Sequence, residues 1–345
     1  MRTITWNTEG QCLSYIDQTR LPAELVTVET QSVTRLADGI RRLEVRGAPA
    51  LGVAGAYGVA LSCQSHQNKE TGAAFRNAIE TDAAFLRATR PTAVNLGWGI
   101  DRALQNALRE DTPAAAYDAA LREAQAIEAE DITLCHRIGA YGASLLPDTC
   151  TVLTHCNAGA LACVEWGTAL GVIRSAVEAG KNISVLSCET RPLNQGSRLT
   201  AFELHADGIP VKTIPDSAAA HLMRRGMIDA VVVGADRITP DAVFNKIGTY
   251  MHAICAHHHS IPFYVAAPYS TLDTGRREAD VEIEERARDE LASCGGRQLM
   301  PDGVGTVNPA FDATPLTLVT AIITDRGVLR HPYDELTHSD TREMT

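Results

Sequence analysis

The sequence predicts an α/β fold in which a mainly helical N-terminal domain precedes a doubly wound parallel sheet of Rossmann-like type. Two observations carry this. Up to about residue 147 the apolar spacing is helical, apart from a small β element at the start. From residue 151 onward short β-branched runs alternate with helical runs, the pattern of repeated βαβ units. The chain has 345 residues, more than one core usually serves. Two domains are therefore expected, 1–147 and 148–345, with Pro147-Asp148 at the boundary.

In order along the chain, residues 4–6 and 12–16 flank the turn signal 7–10 and predict a hairpin. Residues 33–43 have helical spacing. Pro49 suits the first turn of the next helix, with Gly47 in the turn before it. Glycines 52, 55 and 58 recur every third residue, which lets another backbone approach that helix face. Further helices are expected to end near residue 88 and to span 97–109 and 113–144. Pro91 biases Arg90 away from helical geometry, so Arg90 sits on a loop.

Residues 151–174 read as a strand, a tight turn at His155-Cys156-Asn157, and a helix running to Ile173, which places Cys156 beside a helix N-terminus. Strands are expected at 183–188, 211–214, 230–233, 262–266 and, as the last, 318–324. Asp216 is expected to cap a helix over 217–225. Asn245-Lys246 is expected to open a helix running to about residue 258.

Composition excludes several classes. Net charge is −11 and no basic stripe is visible, which argues against a nucleic-acid ligand. No apolar run is long enough to span a bilayer, and residues 1–10 lack a signal-peptide core. Nine cysteines without a CxxC pair read as reduced thiols of a cytoplasmic protein. His257-His258-His259 lacks the geometry of a metal site, since consecutive side chains point different ways. No GxGxxG, GxxxxGK[ST] or GxSxG motif occurs where its mechanism would need it.

Ligands of open α/β sheets bind beyond the carboxyl ends of the strands. Polar stretches fall there at 155–157, 189–196, 236–237 and 245–246, and the helical part adds Arg46 and Arg90. Taken singly, Asp236 is accounted for by a turn, and Arg46 and Lys246 by solvated surface positions. Together they supply a thiol, a carboxylate, amides and cations, an inventory for proton transfer on a phosphorylated small molecule.

Arg46-Gly47-Ala48-Pro49-Ala50, residues 89–96, Leu153-Thr154-His155-Cys156-Asn157-Ala158-Gly159, Glu189-Thr190-Arg191-Pro192, Gln195-Gly196, residues 233–238, residues 245–249 and Asn308-Pro309-Ala310-Phe311-Asp312 resemble the motifs of the 5-methylthioribose-1-phosphate isomerase family. They keep their order and spacing over almost the whole chain. The same fold serves regulatory subunits of translation initiation factor two-B and a ribose-1,5-bisphosphate isomerase. The resemblance implies a catalytic pair, with Asp236 as proton donor and Cys156 assisting the hydrogen transfer. It implies that Arg46, Gly47, Ala48, Arg90, Gln195, Asn245 and Lys246 bind substrate. It further implies no metal or organic cofactor, a homodimer, and a place in methionine salvage. The departure is Phe244, where the family commonly has a small residue.

The implied reaction turns an aldose 1-phosphate into a ketose 1-phosphate. Phosphate on the anomeric oxygen blocks ordinary ring opening, so the ring oxygen must be protonated as its bond to C1 breaks. A buried carboxylic acid with a raised pKa suits that step, and Asp236 is the expected one. Hydrogen then moves from C2 to C1, as a proton through an enolate with Cys156 as base or as a hydride. The alternatives are an isomerase of 5-deoxyribose 1-phosphate or ribose 1,5-bisphosphate, or a regulatory subunit without catalysis. A bisphosphate would require extra cations, residues 89–96 match the methylthioribose branch better, and a regulatory subunit need not keep Cys156 and Asp236.

Overall fold

The computed structural model describes residues 1–68, 71–91, 93–333 and 336. Thr92 of the second motif lies outside them. The chain forms two compact units, residues 1–134 with 159–167, and residues 135–158 with 168–345.

The first unit opens with an antiparallel three-stranded sheet of β1 (Ile4–Asn7), β2 (Cys12–Ile16) and β3 (Thr27–Thr30). Five helices follow: α1 (Val33–Arg41), α2 (Ala48–His66), α3 (Gly72–Arg87), α4 (Val94–Leu108) and α5 (Pro113–Ala143). Ser32 caps α1 by accepting from the Arg35 amide, and Val33, Leu36, Ala37 and Ile40 form its buried stripe. In α2 every residue from 50 to 63 is buried, so it is apolar all round and forms the axis of the unit. Its glycines permit the expected close approach: a Cβ on Gly99 of α4 would stand 1.9 Å from the Gly52 carbonyl oxygen, and one on Gly55 2.7 Å from that of Leu96.

The second unit carries a seven-stranded sheet. Its elements are β4 (Thr149–Thr154), α6 (Ala169–Glu178), β5 (Asn182–Cys188), α7 (Ala201–Ala206), β6 (Val211–Ile214), α8 (Ala219–Arg224) and β7 (Ala230–Val233). Then come β8 (Arg237–Ile238), β9 (Ala242–Lys246), α9 (Thr249–His258), β10 (Phe263–Ala266), α10 (Arg288–Ala292), β11 (Ser293–Cys294) and β12 (Arg297–Gln298). The last strands are β13 (Phe311–Pro315), β14 (Ala321–Thr324) and β15 (Gly327–Leu329). The sheet order is β15-β14-β10-β7-β4-β5-β6, parallel except at β15. The α/β class and the parallel sheet are as the sequence predicts. From β4 the chain winds one way through β5 and β6 and the other way through β7, β10 and β14, so winding reverses between β4 and β7.

Several local expectations are corrected. The run after Cys156 is not one helix. Residues 159–167 fold with the first unit around a short 3-10 turn at Ala160–Ala162, and α6 begins only at Ala169. The helical spacing arose because both pieces are buried. The Val164 amide donates to Asp131 (2.7 Å), and the Thr3 amide and Gln18 Nε2 donate to the carbonyls of Val164 (2.8 Å) and Leu161 (2.7 Å). Division of the units falls before residue 147, inside α5, because the end of that helix packs in the second unit. A Cβ on Gly142 would lie 2.3 Å from Val172, and Lys181 Nζ caps the Ala143 and Leu146 carbonyls. Asn245 and Lys246 end a strand rather than open a helix; β9 pairs with β8 and β13 in a separate antiparallel sheet. β15 follows the strand expected to be last.

Gly99→Ala is expected to lose about 1–3 kcal/mol of stability, the usual cost of forcing extra atoms into a packed contact. A urea midpoint equal to that of the parent would mean that α2 and α4 do not meet at Gly52 and Gly99.

Candidate active site

Cys156 follows β4 and Asp236 follows β7, the adjacent parallel strands between which the winding reverses. That is the position at which open α/β sheets bind ligands. The two turns press together, since a Cβ on Gly234 would stand 2.8 Å from that of Ala158.

The Cys156 turn is held from several sides. Its backbone is left-handed, with φ 67°. Its amide donates to Thr190 Oγ1 at 2.8 Å, and its carbonyl accepts from Thr200 Oγ1 at 2.7 Å. Next to it, buried Asn157 donates to Thr200 Oγ1 (3.2 Å) and to Glu203 Oε1 (2.8 Å). Glu203 is fully buried and its other oxygen accepts from Arg174 Nη2 of α6 at 2.9 Å. A buried carboxylate is tolerable only when paired and hydrogen-bonded in this way. Cys156 itself is partly exposed. No long helix starts at this turn, so the expected dipole at Cys156 is replaced by these contacts.

The loop after β5 carries Gln195, buried just before a π-helical turn (Gly196–Thr200) that leads into α7. Its Oε1 is buried and has no hydrogen-bond partner among the described residues. Such an acceptor costs free energy unless a ligand donor meets it. Asp216 anchors this loop instead of capping α8. Its carboxylate accepts from the amides of Thr190 (2.7 Å) and Arg191 (2.8 Å).

Asp236 heads the antiparallel sheet, with its amide donating to the Phe244 carbonyl at 2.9 Å. Its side chain is exposed, which corrects the expected buried acid: the short β8–β9 hairpin leaves it uncovered. Phe244 is buried in β9 and faces Ala313 of β13. Asn245 is buried and donates to Thr249 Oγ1 at 3.0 Å. Lys246 Nζ donates to the Ala310 carbonyl at 2.8 Å and stands 4.7 Å from the Phe311 ring centre. Asp312 accepts from the amides of Gly248 (2.7 Å) and Tyr250 (3.1 Å). Burial pushes the Asp312 carboxyl up to about 6, against the pull of those amides and of Lys246.

In the first unit, Gly47 precedes α2 with φ 96°, and a Cβ there would strike the Ala162 carbonyl oxygen at 2.4 Å. Ala48 is the first helical residue. Arg46 Nε donates to Gln18 Oε1 at 3.0 Å. Arg90 follows α3, and its carbonyl accepts from the Ala93 amide at 3.0 Å. The first turns of α2 and α4 cross where Gly52 meets Asn95, so the loops bearing Arg46 and Arg90 lead into one crossing.

Beneath the β4 turn, His155, Cys188 and His252 bring ligand-type atoms within 4.8 Å of one another, a set that could hold a soft metal ion. The same atoms also satisfy one another. His155 Nε2 lies 2.8 Å from the Ile247 carbonyl, which can only accept, so this nitrogen carries the proton. His155 Nδ1 then accepts from His252 Nε2 at 3.2 Å, and Cys188 Sγ lies 3.5 Å from that nitrogen. Sequence reading missed this relay and the anchoring role of Asp216; only the neighbouring Cys156 and the Glu189–Pro192 motif pointed to the region.

With this geometry in place, comparison with known proteins is decisive. The initiation factor 2 subunit family model matches residues 44–331. The chain belongs to that family. A methylthioribose-1-phosphate isomerase from Pelotomaculum thermopropionicum is 50% identical over 337 residues, 96% of this chain and 92% of the relative. A 5-deoxyribose 1-phosphate isomerase from Moorella thermoacetica is 49% identical over 336 residues, 96% of this chain and 95% of the relative. The solved 5-methylthioribose 1-phosphate isomerase of Pyrococcus horikoshii OT3 is 41% identical with a TM-score of 0.91, covering 97% of this chain and 94% of that one. The resemblance read from the motifs is thus borne out at the level of the family and of its isomerase members.

Burial, with help from His155, pushes His252 down from 6.5 to about 3. Between those values the unfolded chain binds a proton that the folded chain refuses, so His252 makes stability fall as pH drops from 6.5 toward about 3. Replacing it by His252→Gln should flatten that part of the urea-midpoint profile. An unchanged acid limb would remove His252 from the account.

Proposed function

We propose that this protein is an aldose–ketose isomerase that converts 5-methylthioribose 1-phosphate to 5-methylthioribulose 1-phosphate in methionine salvage. The observation that carries the reading is the placement of Cys156 and Asp236 on neighbouring turns where the winding of the sheet reverses. The name of a relative 50% identical over nearly the full length supports the same reaction, and that of the Moorella thermoacetica relative supports isomerisation of a sugar 1-phosphate.

In this reading Asp236 protonates the ring oxygen as its bond to C1 breaks. Because Asp236 is exposed, bound substrate supplies the exclusion of water that strengthens the proton transfer. Cys156 takes the C2 hydrogen as a proton and the C–H electrons form a C1=C2 enol. C1 then takes a proton back from the Cys156 thiol while the C2 hydroxyl gives its own to the Asp236 carboxylate, which leaves the C2 ketone and restores both groups. Deuterium at C2 reports on this step, since proton transfer through Cys156 permits exchange with solvent and a hydride shift retains the label. Arg46 and Arg90 offer bidentate contacts to phosphate, and Lys246 a point charge. Gly47 and Ala48 supply backbone at a helix start, which favours anions. Asn245 and the unmet oxygen of Gln195 address sugar hydroxyls.

The wider reading is of a cytoplasmic homodimer that works without metal, organic cofactor or nucleic acid. Nine free thiols, the net charge of −11, and the lack of any helix among the described residues able to cross a membrane support it. Exposed Tyr250, Met251 and Ile254 on α9 offer apolar surface to a second copy. Light scattering should return twice the chain mass, and activity should survive exhaustive chelation despite the His155–Cys188–His252 cluster. Loss of activity restored by one metal would overturn the metal-free reading.

The deciding experiment is an assay of the purified protein on 5-methylthioribose 1-phosphate, 5-deoxyribose 1-phosphate and ribose 1,5-bisphosphate. The first should give the highest kcat/KM; turnover of none would favour a regulatory role. Asp236→Asn should fold and bind substrate yet lose at least about a hundredfold in turnover. Cys156→Ser should be folded and nearly inactive, whereas Cys163→Ser should keep most activity. Arg90→Ala should mainly raise KM.

A further inference from the structure

We infer that Thr190 is a positioning residue: its hydroxyl sets the turn that presents the Cys156 thiol. The inference rests on the catalytic reading of Cys156 and gives a role to the Glu189–Pro192 motif, which that reading leaves unused.

Thr190 has no exposed surface, so it does not meet substrate. Its φ is 65°, a left-handed conformation that a β-branched residue rarely adopts. Cys156 is left-handed as well, and so is Asn194 in the same loop. Strained backbone of this kind persists only where surrounding contacts over-determine it.

At Thr190 those contacts are complete. Its amide donates to Asp216 Oδ1 at 2.7 Å, and its carbonyl accepts from the Asn194 amide at 2.8 Å. Its hydroxyl has one proton, which goes to the Cys188 carbonyl at 3.1 Å. The hydroxyl lone pair is then directed at the Cys156 amide, 2.8 Å away. Valine has the same shape without the lone pair, and serine keeps the lone pair without the methyl. The close fit of Gly196, where a Cβ would stand 1.7 Å from the Cys188 oxygen, keeps that carbonyl in place. The strained turn at Cys156 is therefore clamped by a side chain on the neighbouring strand's loop, and Asp216 clamps Thr190 in turn.

The test uses Thr190→Val, Thr190→Ala and Thr190→Ser in the full chain. One readout is turnover of 5-methylthioribose 1-phosphate; the other is the rate at which iodoacetamide labels Cys156, followed by mass spectrometry. Thr190→Val and Thr190→Ala should lose about tenfold to a hundredfold in kcat with KM changed by less than about threefold, the pattern of a displaced reacting group. Their Cys156 labelling rate should depart from the parent's, and Thr190→Ser should restore both readouts. If Thr190→Val does not fold, Thr190→Ala is read in its place. Lower thermal stability with both readouts unchanged would make Thr190 merely structural and overturn the inference. If instead Cys156→Ser turns over normally, the catalytic reading fails, and the labelling rates still decide whether Thr190 sets the thiol.

Discussion

The second unit depends on one constraint: the chain must leave β4 in a left-handed turn at Cys156 and hold that turn without a helix to stabilise it. A non-glycine residue in that conformation costs on the order of 1–3 kcal/mol. Hydrogen bonds from two other segments offset the cost. Thr190 takes the Cys156 amide and Thr200 gives to its carbonyl. Behind them the buried Asn157–Glu203–Arg174 network ties the turn to α7 and α6. The geometry is local in purpose but assembled from residues far apart in sequence.

A separate antiparallel sheet carries Asp236, the proposed acid. β9 pairs with β8 on one edge and β13 on the other, so Asp236, Asn245, Lys246 and Asp312 share one small scaffold. Asp312 faces Asn245 across the register and takes the amides that start α9. The parallel sheet thus places the thiol, and the antiparallel one places the carboxylate and the lysine. The division suits a reaction that protonates one atom of a sugar while removing hydrogen from another.

Much of this was legible in the sequence because parallel strands buried on both faces read as plain apolar runs. Residues 183–188 and 230–233 are examples that needed no tertiary information. The glycines of α2 announced a close helix contact for a similar reason. Failures came where burial mimicked a period. Residues 159–173 keep helical spacing although only their end is α-helix, because a separate core buries the first part. Asn245-Lys246 was expected to open a helix, because the five-residue β9 was too short to show alternation. Asp216 had the composition of a cap, and only the fold reveals that backbone amides of another loop compete for it. Cys156 and Asp236 are proposed as the pair from motifs; the exposure of Asp236 had no signal in the sequence.

The excursion at 159–167 bears on how such a chain can be cut. Those residues belong to the first unit although β4 lies before them and α6 after. Their backbone satisfies Thr3, Gln18 and the nearly solvent-free carboxylate of Asp131, whose proton affinity burial raises to about 7. A fragment ending at the apparent linker would leave that carboxylate without its amide donor, and the remaining piece would carry an orphaned apolar segment. Neither half is a transplantable module. An excised first unit therefore has to carry residues 159–167 with it to keep its own hydrogen bonds.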